Sequence, residues 1–315
     1  MTTPPPMDPW SYGSDVPDRG YQVPPGFGYP GYPGAGYDPA NDPLVPPPDT
    51  FFDGWTNRVQ SVLKRSWRTV VLILLVTLAA PQIVLQILEA AAGSTLALVP
   101  GTTGGRLVLG FGAATWIVII VLTVGFSLVG ALGWASAIWA VTQEAAGQQV
   151  TLTAALQGGL RRALPMWGWY LASSLLIGVG IILCILPGLY FATAVSLFSF
   201  VVMYERGTAA IGRSFRLVNK SFGAVLGRVA LLAVIYVAVS LAIGCVFGLA
   251  LGLGSGLTGG AVGSASSLVF GSISALVSVP LQTLLLVGLL VTYTQMRAKE
   301  EPLSTQHLWA AVNAV

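Results

Sequence analysis

The stretch RGTAAIGRSFRLVNKSFGAVLGRVALLAVIYVAVSLAIGCVFGLALGL, residues 206–253, decides the fold. Its first half carries Arg206, Arg213, Arg216, Lys220 and Arg228. From Val229 to Leu253 the chain then runs 25 residues without a charge. About 20 apolar residues in a helix cross the hydrocarbon core of a bilayer, so Val229–Leu253 is predicted to be a membrane span. In the basic half, Ile211, Phe215, Val218 and Phe222 fall at i, i+4, i+7 and i+11, on one helical face. Arg213, Arg216 and Lys220 lie opposite. Such a helix abutting a span is predicted to lie in the membrane interface, rings among acyl chains and cations at headgroups, with Thr208 as its N-cap.

The same juxtaposition recurs along the chain. Six apolar stretches are predicted to span: 69–92, 114–141, 168–186, 188–203, 229–253 and 268–294. The third and fourth are shorter and meet at Pro187-Gly188, which is predicted to be the turn of a tight hairpin. Arg58, Lys64, Arg65 and Arg68 precede the first stretch, Arg161 and Arg162 lie between the second and third, and Arg297 and Lys299 follow the sixth. The remaining loops hold only Arg106. Basic residues gather in cytoplasmic loops, so this asymmetry predicts an all-α, six-span bundle of the cell membrane with both termini in the cytoplasm.

Composition agrees. The 315 residues are 54% hydrophobic and 9% charged, with mean hydropathy +0.76, whereas a soluble domain carries about 25% charged residues. Net charge is +3, but the basic residues crowd one face while seven of the twelve acids lie in the first 53 residues. That face is expected to meet anionic headgroups, at roughly 1 kcal/mol per cation. No basic cluster carries a nucleic-acid-reading motif, so nucleic acid is not an expected partner. Three Lys stand against twelve Arg, which with the abundant Ala, Gly and Val points to a GC-rich bacterial genome.

Residues 1–50 differ from the rest. They are rich in Pro, Gly, Tyr and Asp, as in PPGFGYPGYPG at 24–34, and lack the apolar surface that would offset ordering entropy. They are predicted to form a disordered cytoplasmic tail, with Pro46-Pro47-Pro48 and the tyrosines open to a protein partner. No basic start followed by an apolar core marks a signal peptide. Residues 51–296 form the membrane domain and 297–315 a short cytoplasmic tail.

An internal repeat accompanies the spans. Thr153-Ala154-Ala155-Leu156 matches Thr208-Ala209-Ala210-Ile211, Leu160-Arg161 matches Phe215-Arg216, and Trp167-Gly168 matches Phe222-Gly223. A fainter copy runs through Phe52, Trp55, Lys64, Arg65 and Trp67. The chain is thus expected to hold three units, each a short cytoplasmic helix followed by a helical hairpin. Phe52, Trp55, Val59, Val62, Leu63 and Trp67 cluster within roughly 140° at helical geometry and are expected in the interface.

The pattern resembles the membrane domain family named after glycerophosphoryl diester phosphodiesterase, from about Phe51 to Met296. The residues that carry the resemblance are Pro187-Gly188-Leu189-Tyr190, Tyr204-Glu205-Arg206-Gly207, Ala210, Arg213-Ser214 and Leu217. It implies a six-span bundle with short helices before the odd-numbered spans. The family's phosphodiesterase activity belongs to a fused soluble barrel, and the His and carboxylate cluster of that barrel has no counterpart here, so the activity is not implied.

Ionisable residues within spans mark functional sites. Here Glu89 alone stands in a predicted span, and Gln82, Gln86 and Glu89 share one helical face beside Pro81. Gln282, two residues after Pro280, is placed to meet them across a polar groove between first and last spans. Interhelical hydrogen bonding is the competing explanation. Glu205 is expected to favour the N-terminus of the following helix and to pair with Arg213. Gly244, Gly248, Gly252 and Gly256 recur every fourth residue, which suits close packing within the chain or against a second copy. Cys184 and Cys245 lie in apolar stretches without His or CxxC spacing, so neither a metal site, a cofactor nor a disulfide is expected. Without a Ser–His pair or paired acids, no enzyme is expected either. A scaffold or accessory factor for envelope components then fits the sequence first. The alternative is a small transporter or lipid-handling protein using the polar groove.

Overall fold

A computed structural model describes residues 41–47, 52–91, 113–205, 209–257 and 264–314. All of them fall within one compact unit, Asp38–Val315. The elements are α1 (Phe52–Leu74), a π-helical turn (Leu75–Ala79), α2 (Ala80–Ala91), α3 (Ala113–Ala145), α4 (Leu152–Leu183), α5 (Ile185–Val195), α6 (Phe198–Tyr204), α7 (Ala210–Lys220), α8 (Phe222–Leu257), α9 (Ser264–Ala298) and α10 (Thr305–Asn313). There is no strand among the described residues. Six helical runs are long and apolar enough to cross a membrane: Phe52–Leu88, Ile120–Ala145, Leu152–Leu183, Ile185–Tyr204, Phe222–Phe247 and Leu268–Ala298.

The helices overrun the predicted spans. α1 and α4 run unbroken from the basic end into the bundle, so the short helices expected before the first and third spans are not separate elements. Nothing between Phe52 and Leu74 breaks a helix, and Pro165 is carried inside α4. Only α7 stands apart, ended at Ser221 by non-helical backbone (φ −140°, ψ 44°). Of the α1 side chains expected in the interface, Trp55, Val59 and Val62 are buried within the bundle. Ser66 and Val70 are buried as well. Trp55 Nε1 donates to Gly288 O at 3.2 Å and to Thr292 Oγ1 at 2.9 Å on α9. Trp67 is half exposed.

The α4–α5 hairpin turns at Cys184, not at Pro187-Gly188. Cys184 is extended (φ −174°, ψ 154°) and its N–H donates to Gly180 O. Pro187 sits in the first turn of α5, where a missing N–H costs no helical bond. Gly188 serves close approach: a Cβ on Gly180 would lie 2.9 Å from Gly188 Cα. The π-helical turn just precedes Pro81, whose ring and missing N–H disturb the carbonyl of Thr77 one turn back.

The two terminal segments also depart from expectation. Within the supposed tail, Leu44 and Val45 are buried in the bundle's own core. Asp42 Oδ1 accepts from the N–H groups of Leu44 and Val45 and from Thr305 Oγ1, while Oδ2 accepts from the Thr305 N–H. Thr294 Oγ1 donates to Leu44 O and Gln295 Nε2 to Pro47 O. Residues 42–47 are therefore a strap, and the tail boundary at residue 50 falls too late. The remainder of the predicted tail, residues 1–40 and 48–50, lies outside the described residues. Residues 305–313 form a helix whose Trp309 Nε1 donates to Gln143 Oε1 on α3, so the chain after the last span is folded as well. Strap and α10 meet at the same end of the bundle.

Candidate functional site

Three irregularities converge on one cavity of about 370 Å³ at mid-span. Leu78 belongs to the π-helical turn, Ser196 to the break between α5 and α6, and Gln282 lies two residues past Pro280 inside α9. Non-helical backbone at membrane depth persists where protein or a cavity lies against it, and π turns gather at functional sites. α3 adds Phe126, Ser127, Gly130, Ala131 and Trp134, and α4 adds Met166 and Tyr170. Phe198, Ser199 and Leu289 complete the wall.

The lining is mostly apolar, with a few neutral polar groups. Ser127 Oγ donates to Val124 O at 2.7 Å and accepts from Trp167 Nε1 at 2.8 Å. Ser196 Oγ is buried with no hydrogen-bond partner. Ser199 is 5% exposed. Tyr170, half exposed, marks the side on which the cavity reaches the bundle surface.

One helical turn past Leu289 along α9, towards the basic end, lies an aromatic floor. Phe200 stacks on Tyr293 with ring centroids 5.8 Å apart, and Tyr204 on Tyr293 at 5.7 Å. Tyr204 Oη and Thr142 Oγ1 lie 2.6 Å apart. Beneath the floor is an ion network. Tyr293 Oη donates to Glu205 Oε1 at 2.9 Å, and Glu205 Oε2 accepts from Arg213 Nε at 2.7 Å. Arg213 Nη2 reaches Glu300 Oε2 at 2.7 Å, and Lys220 pairs with Glu300 Oε1. Burial draws Arg213 down, but Glu205 and Glu300 outweigh it and raise the guanidinium above its ordinary value. Burial pushes Glu300 up, but Lys220 and Arg213 outweigh it and hold the carboxyl below its ordinary range. The network ties α6, α7 and the end of α9 together.

The residues expected to form a polar groove are only partly gathered. Gln282 lines the cavity. Gln86 lies against Gly271, where a Cβ would meet its side chain, and its Oε1 is buried without a partner. Gly271 and Gln282 are eleven residues apart on α9, roughly 16 Å of helix, so the two glutamines do not share a site. Gln82 is exposed, and the Glu89 side chain lies outside the described residues. On α7 the buried face is Ala210, Ser214, Leu217 and Val218, one position round from the predicted stripe. Ser214 Oγ donates to Ala194 O at 2.7 Å. Phe215 and Phe222 are half-buried and pack on Tyr190 of α5; Ile211 is half-buried, and Arg216 and Lys220 are exposed. Thr208 lies outside the described residues; Ala209 precedes the helix without a side-chain cap. Gly244 has no atom near the place of a Cβ, so it makes no close approach to any other helix among the described residues. The surroundings of Gly248, Gly252 and Gly256 themselves lie outside the description.

Fold and cavity together define a polytopic, all-helical membrane protein with a small neutral site inside the bundle. The chain matches no family model, no curated protein and no solved structure.

Proposed function

We propose that this chain is a non-enzymatic, multi-pass protein of the cell membrane that holds an amphipathic, lipid-like molecule in the mid-span cavity. The observation that carries this is the convergence of the π turn, the α5–α6 break and the Pro280 region on one largely apolar space with polar groups along its wall. Ligand sites have this character: about 300–1,000 Å³, apolar walls and a few placed polar atoms. Basic residues favour the cytoplasmic side, which puts both termini, the ion network and the floor there. Exposed Lys64, Arg68, Arg161, Arg216 and Lys299 suit anionic headgroups on that side.

A scaffolding role is the second reading, favoured by the strap. The strap is anchored at Asp42 against Thr305, directly after the Pro/Gly/Tyr-rich part of the sequence that would reach a protein partner. Native mass spectrometry of the protein extracted from its membrane separates the two. Wild type is expected to retain one small lipid per chain, and Ala131→Phe, which fills the cavity, to lose it while folding normally. Equal lipid retention by both would leave the scaffold reading.

A further inference from the structure

We infer that the molecule held in the cavity is a single-chain amphiphile with an uncharged, hydroxyl- or ester-bearing head, a proposal that rests on the lipid-binding function above. None of the thirteen lining residues among those described is Asp, Glu, Lys, Arg or His. A charged head entering such a space gives up hydration without meeting a counter-charge, at a cost far above that of a neutral polar group. The charges nearest along the chain are engaged elsewhere. Arg162, one turn from Met166, donates from Nη1 to Val202 O at 3.0 Å. Glu205 is held by Tyr293 and Arg213 beneath the aromatic floor.

The polar atoms present suit a neutral head. Ser196 Oγ is buried with its hydrogen-bonding capacity unused, and a hydroxyl can both donate and accept. The Gln282 amide brings a carbonyl and an NH₂ to the same space. A hydroxyl or ester exchanging water for these groups gains a partner and relieves an orphaned one. Volume limits the tail. At about 370 Å³ the cavity stands at the low end of ligand pockets, enough for one chain and too small for a diacyl lipid.

The test uses the full chain in zwitterionic vesicles with a diazirine-bearing monoacylglycerol as photoprobe. Labelled peptides from α3, α4 and the 196–199 segment are read by mass spectrometry. Competitors are monoacylglycerol, a fatty acid at pH 9 and an alkyl phosphate of equal chain length, each at matched mole fraction in the bilayer. The neutral competitor is expected to suppress labelling at mole fractions on the order of tenfold lower than the ionised ones. Ser196→Ala should narrow that preference, and Ser196→Thr, which keeps the hydroxyl, should restore it. Equal or better competition by the ionised amphiphiles would overturn the inference while leaving lipid binding standing. So would loss of labelling in Arg162→Gln, which would assign the head to the guanidinium. Absence of cavity labelling by the probe would overturn lipid binding itself.

Discussion

Asp42→Ala should release both ends of the chain at once. The Asp42 carboxylate is 5% exposed and accepts four contacts: Leu44 N–H at 2.9 Å, Val45 N–H at 2.7 Å, Thr305 N–H at 2.9 Å and Thr305 Oγ1 at 2.6 Å. Hydrogen bonds to a charged group contribute about 1.5–3 kcal/mol each, but these four share one carboxylate and are not additive. Released backbone at the bundle surface recovers some bonding from water. A net loss of about 3 kcal/mol is therefore expected, roughly a hundredfold in the local opening equilibrium. Hydrogen exchange on the full chain in nanodiscs measures it: the amides of Leu44, Val45 and α10 should lose protection while those of α3 and α9 keep theirs. Asp42→Asn, which keeps one acceptor oxygen, should lie between. Deleting residues 1–47 should reproduce the loss, since it also removes buried Leu44 and Val45, whereas deleting 1–40 spares the strap and should not. Unchanged exchange in Asp42→Ala would refute the strap as a structural tie.

Other expectations follow from the same packing. Glu300 has a depressed carboxyl, so its contribution is fully present above the unfolded value near 4.5 and is lost as pH falls through the lower folded value. The Tm difference between wild type and Glu300→Gln should be full at pH 6–7 and shrink progressively as the pH falls below 4.5; a constant difference would count against the ion network. Phe215→Asp breaks the contacts with Tyr190 and Phe191 and should destabilise by about 3 kcal/mol. Arg216→Gln, an exposed change, should cost under about 1 kcal/mol and only with anionic lipid present; thermal unfolding in two lipid mixtures checks both. A Cβ on Gly133 would lie 2.7 Å from Thr77 Cβ, so Gly133→Ala should cost about 1–3 kcal/mol and Thr77→Ala should recover part of it, read from Tm.

The six spans were legible because hydrocarbon thickness imposes a length that composition alone reveals, as at Val229–Leu253. Helix ends were not, because a helix such as α1 pays nothing to continue past the bilayer when its apolar face finds α9. Pro187-Gly188 reads as a turn by local rules, yet Pro is tolerated in a first helical turn and Gly188 is needed where α5 touches α4. The cavity was mostly hidden. It is assembled from side chains of several elements, all neutral, and only Gln282 drew notice as a polar residue in a span. The signal that existed was Ser196 and Ser199, two hydroxyls flanking Leu197-Phe198 inside an apolar run. Composition likewise masked the strap: Pro and Asp dominate residues 38–49, but Leu44-Val45 beside Asp42 is an apolar pair with its own cap.

A density map of the full chain in nanodiscs made from its native lipid extract, at side-chain resolution, decides whether the cavity is a binding site. The proposed function predicts one elongated non-protein feature within the bundle, its polar end against Ser196 and Gln282 and its tail along Phe126, Met166 and Leu289. A cavity closed by its own side chains, or holding only water-sized peaks with every lipid on the outer surface of the helices, would contradict it.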